Sequence, residues 1–347
     1  MTGPLLALVT GGAGYFGSLM CCRLRQRGYR IRIFDLNSPG DAVAGEEVLQ
    51  GDICDRDAVL HACEQVDVVF HNVAQVPLAK DKTLFWKVNR DGTRNLLDAC
   101  LAHHVKKVIY TSTSAIYGVP SANPVTEETE PRPMEEYGKA KLAGEMLCGC
   151  AAKQGLDVSI VRPRTIIGHG RLGIFQILFE WIYQGENIPV LDGGRNIYQF
   201  VHADDLAEAC ILASRAAGPQ AYNCGAAEFG SMRDVLENLC RYAGTGSRVK
   251  SLPMWAVVPS MKICSALGIS PLASYHSLMY GRSMYFDIRK ACVELGWKPR
   301  YSNDAMFQES YDWYVENRAA VLEKRAPTSH HQSALKQGVL ALLHRFL

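Results

Sequence analysis

The chain has 347 residues, a formal net charge of +2, 48% hydrophobic residues and 21% charged residues. That balance is ordinary for a soluble globular protein with one large or two modest domains, and it gives no electrostatic case for a nucleic-acid partner. Twelve cysteines are present, but none forms a C-x-x-C pair, so no metal is expected and the thiols read as small hydrophobes of a reduced, cytoplasmic protein.

In chain order, the apolar run Leu5 to Val9 predicts a buried strand. It is too short for a signal-peptide core and runs straight into Gly11, Gly14 and Gly17. A helical pattern follows from Ser18 to Gly28. Strand, glycine turn and helix together point to dinucleotide binding. One glycine permits the tight turn, the next lets backbone approach a pyrophosphate, and the third lets helix pack on strand. The helix N-terminus then offers N–H groups and a positive dipole end to the phosphates. Tyr29 to Phe34 predicts a second strand ending at Asp35, 18 residues after Gly17. An acid there accepts hydrogen bonds from ribose hydroxyls and repels a 2′-phosphate, which favours NAD. Arg32 on the same strand leaves NADP open.

Val48 to Gln50 predicts a third strand, Asp55 to Glu64 a helix, and Val66 to Phe70 a fourth strand. A long helix is expected over about Thr83 to His103, and a fifth strand over Val105 to Thr111. A polar, Pro-rich loop spans Val119 to Pro133. A helix over Glu135 to Gln154 and a sixth strand over Val158 to Val161 complete the alternation. The pattern predicts an α/β fold, a doubly wound parallel sheet over residues 1–163 with later segments returning to it. From about Arg164 glycines and aromatics become frequent, and residues 164–322 read mainly as a smaller substrate-binding region. Leu252 to Leu267 is apolar, but Pro253, Pro259 and Lys262 break it, and it is too short to span a bilayer. Residues 323–347 read as a linker and an amphipathic tail, with Leu335, Val339, Leu342, Leu343 and Phe346 on one face. That tail suits either docking on the body or a partner, or peripheral contact with the inner face of a membrane.

Tyr137 and Lys141 form a Tyr-x-x-x-Lys pair on one helix face. An ammonium beside a phenol favours the phenolate, so the tyrosine can act as acid or base. The pair follows a strand ending in Thr111-Ser112-Thr113-Ser114, where Thr113 or Ser112 can donate to a substrate oxygen.

With these motifs in order, the sequence resembles the extended short-chain dehydrogenase/reductases. That family includes nucleotide-sugar epimerases, dehydratases and 3β-hydroxysteroid dehydrogenase-like enzymes. The resemblance covers about residues 5 to 322. It rests on T-G-G-A-G-Y-F-G at 10–17, G-D-I at 51–53, H-N-V-A at 71–74, V-N-R-D-G-T at 88–93, T-S-T-S-A-I-Y-G at 111–118, Y-G-K-A-K at 137–141, V-R-P-R at 161–164 and V-H-A-D-D at 201–205. It implies a Rossmann fold. It implies that Gly11, Gly14, Tyr15, Phe16 and Gly17 cradle the pyrophosphate, Asp35 takes the adenosine ribose, and Asp52 and Ile53 flank the adenine. Ala74, Asn89 and the backbone at Pro163 would line the cofactor cleft. Counting back from Tyr117-Gly118, the catalytic hydroxyl falls on Thr113, with Tyr137 and Lys141 completing the set. Lys141 would also hold the nicotinamide ribose. Family members often dimerise through two long helices, here around 83–103 and 135–154, so a homodimer is expected.

Three departures carry information. Dehydratases place carboxylates where this chain has Ser114 and Ala115, which argues against dehydration. Many epimerases grip a substrate diphosphate with an Asn where Thr165 stands and an Arg where Tyr198 stands. Arg195 lies close to the second position, and Arg164, Arg171 and Arg282 are further candidates. Ser114, Thr165, Arg195 and Tyr198 are therefore the expected substrate contacts. The C-terminal third, with Pro253 to Leu267, Y-F-D-I-R-K-A at 285–291 and L-G-W-K-P at 295–299, is similar to the 3β-hydroxysteroid dehydrogenase-like branch. Met254, Trp255, Val257 and Met261 suit an apolar substrate cleft or ordinary core. The expectation is an NAD(P)-dependent oxidoreductase acting on a lipid-like 3-oxo or 3-hydroxy compound: sphingoid, ceramide-like, sterol-like or long-chain acyl. The alternatives are a UDP-sugar 4-epimerase and a non-catalytic NAD(P)-binding regulator. The same reading takes His202 as structural.

Overall fold

A parallel seven-stranded sheet carries the molecule, with strand order β11-β6-β5-β4-β1-β2-β3. The structure is a computed structural model that describes residues 3–40, 45–75, 83–253, 255 and 281–323. The sheet strands are β1 (Leu6–Thr10), β2 (Arg30–Asp35), β3 (Glu47–Gln50), β4 (Val68–His71), β5 (Lys107–Thr111), β6 (Val158–Pro163) and β11 (Gln220–Cys224). All five residues of β1 are buried, as a central parallel strand covered on both faces requires. Helix α1 (Tyr15–Arg25) and helix α7 (Ala203–Ala213) share one face of the sheet with α9 (Arg289–Leu295); Met20, Leu24, Leu206, Cys210 and Trp297 fill that core. Helices α2 (Arg56–Ala62), α4 (Thr93–Ala102) and α5 (Glu136–Lys153) cover the other face, around Leu8, Val69, Leu97 and Tyr110.

Strand order reverses between β1 and β4, which stay paired to their last residues, Thr10 and His71, so the crevice expected at such a switch point lies beyond their carboxyl ends. The smaller region is built on α6 (Ile174–Tyr183), α8 (Met232–Ala243) and α10 (Asn303–Glu323), with its own core around Phe175, Phe179, Leu236 and Phe307. Two-stranded pairs flank it: β7 (Thr165–Ile167) with β10 (Phe200–His202), β9 (Ile197–Tyr198) with β12 (Gly230–Ser231), and β8 (Ile188–Leu191) with β13 (Val249–Leu252).

The predicted doubly wound Rossmann fold is what forms. One element differs. The expected continuous helix over 83–103 is a short turn α3 (Thr83–Trp86), a π-helical stretch Lys87–Gly92, and then α4. The Thr93 hydroxyl donates to the Asn89 carbonyl at 2.9 Å, and the Asn89 side chain bonds outward, so local polar groups compete with the regular ladder. Among the described residues no helix is long and apolar enough to cross a membrane. The amphipathic tail, and Met254, Val257 and Met261 of the apolar stretch, lie outside the described residues; Trp255 is exposed.

Candidate active site

The cleft at the carboxyl ends of β1, β4, β5 and β6 has a volume of about 430 Å³, within the usual range for ligand sites. Gly11 adopts φ +72°, which L side chains avoid, and its N–H donates to the Phe34 carbonyl. At Gly17 a Cβ would collide with the Gly11 carbonyl, so only glycine lets α1 start this close to β1. Gly14 is the helix N-cap. No side chain caps α1, and no acid occupies its first turn. The first N–H groups of the helix and its dipole are therefore not taken up by a side chain of the helix itself.

Asp35 ends β2 beside this turn. Its carboxylate accepts from the Ala13 N–H at 3.1 Å and the Asn37 N–H at 2.9 Å, and it lines the cleft. Gly11, Gly14, Tyr15, Phe16, Gly17, Asp52, Ile53, Ala74 and Pro163 line it too. Asn89 does not. It is 1% exposed; its Nδ2 donates to the Gln75 carbonyl and its Oδ1 accepts the Gln75 N–H. Both amide atoms are spent on shaping the loop after β4, which corrects the expectation that Asn89 lines the cleft.

Thr113, Tyr137 and Lys141 line the same cleft. Glu135 caps α5, its carboxylate accepting the Tyr137 and Gly138 N–H groups at 2.8 and 2.7 Å, which fixes Tyr137 in the first helical turn. The Tyr137 ring stands edge-on to Phe85, centroids 6.2 Å apart. One turn on, Lys141 is 1% exposed. Its Nζ donates to the Thr111 carbonyl at 2.7 Å and lies 4.1 Å from the centre of the Tyr110 ring. Burial brings its ammonium down to about 8, while Cys148 and Glu145 act in the opposite sense. Thr113 Oγ1 accepts the Ala115 N–H at 3.2 Å, which orients the hydroxyl at the end of β5.

Behind the site, hydrogen bonds run in one direction. The Thr93 hydroxyl is committed to the Asn89 carbonyl, so Thr93 Oγ1 accepts from His71 Nε2 at 3.1 Å, and His71 Nδ1 accepts from Thr10 Oγ1 at 2.7 Å. This assigns the Nε2–H tautomer. Burial first, and Lys141 second, hold His71 down at about 3, so it is neutral.

The structure also places residues whose roles the sequence did not show. Glu145 forms a bidentate pair with Arg162 at 3.0 and 2.7 Å and accepts from the Ser112 hydroxyl at 2.5 Å; Arg162 also donates to the Tyr117 hydroxyl. This buried network anchors the loop after β5 that carries Thr113. Only the place of one member was legible: Glu145 lies four residues beyond Lys141 on one helix face, but nothing in the spacing names Arg162 as its partner.

The four expected substrate contacts separate. Ser114 and Thr165 line the cleft, whereas Tyr198 and Arg195 do not. Thr165 and Tyr198 hydrogen-bond to each other through their hydroxyls at 2.9 Å, and Arg195 caps the turn at 192–194. His202 takes a structural place: its Nδ1 accepts the Asp204 N–H as N-cap of α7, its Nε2 bonds Glu309 at 2.6 Å, and its ring stacks on Tyr301.

A profile of the family described as "NAD dependent epimerase/dehydratase family" matches residues 7–225. The chain belongs to that family. Among relatives, an uncharacterized protein, y4nG, of Sinorhizobium fredii is 56% identical over 97% of this chain and 85% of its own length. A 2-alkyl-3-oxoalkanoate reductase of Stenotrophomonas maltophilia is 28% identical, covering 85% of this chain and 95% of that protein. A 3 beta-hydroxysteroid dehydrogenase/Delta 5-->4-isomerase of Mycobacterium tuberculosis is 29% identical, covering 89% and 90%. Among solved structures, the UDP-glucose 4-epimerase of Thermus thermophilus in complex with NAD superimposes with a TM-score of 0.73 at 26% identity, covering 90% of this chain and 99% of that one. NAD is the cofactor of this epimerase/dehydratase family, and the glycine cradle at 11–17 with Asp35 beside it fits a dinucleotide.

Proposed function

We propose that this chain catalyses hydride transfer between a nicotinamide cofactor and a secondary alcohol or ketone, on the 3-oxo or 3-hydroxy group of a lipid-like substrate. The observation that carries the reading is the convergence of Thr113, Tyr137 and Lys141 on the cleft that the glycine turn opens. Bound NAD(P)H supplies the hydride. In the reducing direction the Tyr137 hydroxyl gives its proton to the carbonyl oxygen as negative charge develops there. The Lys141 ammonium favours the phenolate left behind. Thr113 keeps its hydroxyl proton for the same oxygen, because its Oγ1 accepts rather than donates in its bond to Ala115.

Net reduction or oxidation is favoured over epimerisation by the Thr165–Tyr198 pair. At the two positions where the epimerase branch grips a diphosphate, this chain has hydroxyls engaged with each other. The names of the reductase and dehydrogenase relatives agree with a carbonyl or alcohol substrate. Ile166, Leu172 and Ile174 give the cleft an apolar wall. A second reading, a UDP-sugar epimerase using the same three residues, draws on the superposition over 90% of this chain.

The test is purified protein, NAD(H) and long-chain 3-hydroxy or 3-oxo lipids, with net NADH change as the readout. Tyr137→Phe should lower turnover by about 10²- to 10⁴-fold while the cofactor stays bound. Undiminished turnover in that variant would overturn the mechanism. Retained cofactor, no net NADH change and interconversion of UDP-sugars would establish the epimerase instead.

A further inference from the structure

Two arginines are buried near the carboxyl end of β6, Arg162 within the strand and Arg164 just beyond it, and their charges are handled in opposite ways. Arg162 is neutralised within the protein by Glu145, bidentate at 3.0 and 2.7 Å. Arg164, two residues on, is more deeply buried at 1% exposure, yet no acidic side chain among the described residues pairs with it. Its Nη1 donates to Ser114 Oγ at 2.8 Å and approaches Met284 Sδ at 3.4 Å. Its Nε and Nη2 are buried without a partner. The guanidinium lies 4.6 Å from the Tyr198 ring centre and 5.7 Å from that of Phe286. Such rings hold a guanidinium flat but neutralise little of its charge. An uncompensated buried cation is costly, and residues that only fill space between two rings need carry no charge.

Arg164 lines the reaction cleft, and so does Ser114. Ser114 is the chain neighbour of Thr113, so the guanidinium is hydrogen-bonded to the residue next to the hydroxyl proposed to orient the reacting oxygen. A second uncompensated cation, Arg171, lies elsewhere in the cleft. It is over the Tyr15 ring at 5.6 Å, on the glycine-turn side, with Nη1 buried and unpartnered. The dinucleotide brings anionic phosphates to that side. Among the described residues nothing supplies an anion to Arg164, which leaves the substrate as its source.

We propose that Arg164 receives a carboxylate carried close to the reacting carbon, which makes the substrates 3-oxo and 3-hydroxy acids rather than neutral sterols or ketones. The inference rests on the oxidoreductase reading above. A carboxylate matches the planar donor edge of a guanidinium. In a sugar nucleotide the phosphates are held away from the reacting carbon by the sugar ring, which does not suit a receptor hydrogen-bonded to Ser114, the chain neighbour of Thr113. The overall reaction is 3-oxo acid plus NAD(P)H plus a proton giving 3-hydroxy acid plus NAD(P)⁺. The carbonyl carbon gains the hydride, its oxygen gains the proton from Tyr137, and the carboxylate stays unchanged on Arg164.

The experiment compares oxidation of 3-hydroxydodecanoate with that of its methyl ester by the full-length protein with NAD. Wild type should favour the acid by about 10- to 100-fold in kcat/KM, the size expected of a charged hydrogen-bonded pair. Arg164→Met should erase that preference, raising KM for the acid about 10- to 100-fold more than KM for the ester. Arg164→Lys should restore part of it, since a point charge remains but the fork is lost. Equal use of acid and ester by wild type overturns the inference without needing a folded variant, as does turnover of neither. Acid preference persisting in Arg164→Met also overturns it. Turnover of neutral 3-hydroxysteroids alone would leave the oxidoreductase reading standing while this inference falls. UDP-sugar interconversion without net NADH change would remove both.

Discussion

Replacing Lys141 by Met separates what the site needs from what the fold needs. The ammonium is 1% exposed and burial brings it from 10.5 down to about 8. That displacement corresponds to roughly 3 kcal/mol of disfavour for the charged form at neutral pH. Methionine removes that cost at nearly the same volume. It also removes the bond to the Thr111 carbonyl, about 1.5 to 3 kcal/mol for a charged donor, and about 1 kcal/mol of attraction to the Tyr110 ring. The terms nearly cancel. Lys141→Met, stripped of cofactor, should therefore unfold in urea within about 1 kcal/mol of wild type at neutral pH, while turnover falls at least ~100-fold. The pH dependence sharpens the test. Between pH 8 and 10.5 the unfolded chain keeps a proton on residue 141 that the folded chain has released, so wild-type stability rises with pH. The variant lacks that rise. The stability difference, wild type minus variant, should grow by roughly 2 kcal/mol between about pH 8 and about pH 9.5, and stay flat below. A loss of more than ~2 kcal/mol at neutral pH, or a difference that does not grow toward alkaline pH, would refute the claim that Lys141 is held charged against its surroundings.

Other substitutions probe the cofactor cradle. Gly17→Ala places a methyl group inside the Gly11 carbonyl's contact distance, so the turn must open. NAD affinity should fall by at least ~10-fold, measured by isothermal titration, with circular dichroism showing a retained fold. An alanine variant that binds NAD as wild type does would show that α1 can shift freely. Asp35→Asn keeps an acceptor for the Ala13 N–H but removes the negative charge. The ratio of NAD to NADP affinity should drop, by about 10-fold, with NADP gaining because a repelling charge is gone. An unchanged ratio would mean that Asp35 serves only to brace the turn.

The parts of the site that were legible in the sequence are those whose chemistry is written in local spacing. The three glycines must precede a helix, and Tyr137 and Lys141 must lie one helical turn apart, so residue types and short intervals suffice. Asp35 was legible for the same reason, as the acid at a strand end. Contacts that join distant segments were not. Asn89 meets Gln75 across a loop, Thr165 meets Tyr198 across 33 residues, and Arg162 meets Glu145 from the next strand along. Each needs the fold before its partner is defined. Strands run past their apolar cores where a polar or ring-closed residue is buried at the sheet's carboxyl edge, as at His71 in β4 and Pro163 in β6, which hydrophobic pattern alone does not show. The apolar periodicity over 83–103 continues across the stretch where Thr93 bonds the Asn89 carbonyl and the backbone turns π-helical, so the sequence reads as one helix there.

The seventh strand gives the molecule a particular order of assembly. Among the described residues β11, Gln220–Cys224, pairs only with β6 and begins 57 residues after Pro163 ends that strand. As the chain leaves the ribosome, the first six strands can pair while β6 still presents a bare row of backbone donors and acceptors. A nascent or truncated chain ending near residue 163 would carry that open edge, which invites pairing with other chains. The cofactor-binding half is therefore not a detachable module. It is sealed by a strand that arrives only after β7 to β10 and helices α6 and α7 have been made, so cofactor binding should appear late in synthesis and not in a fragment.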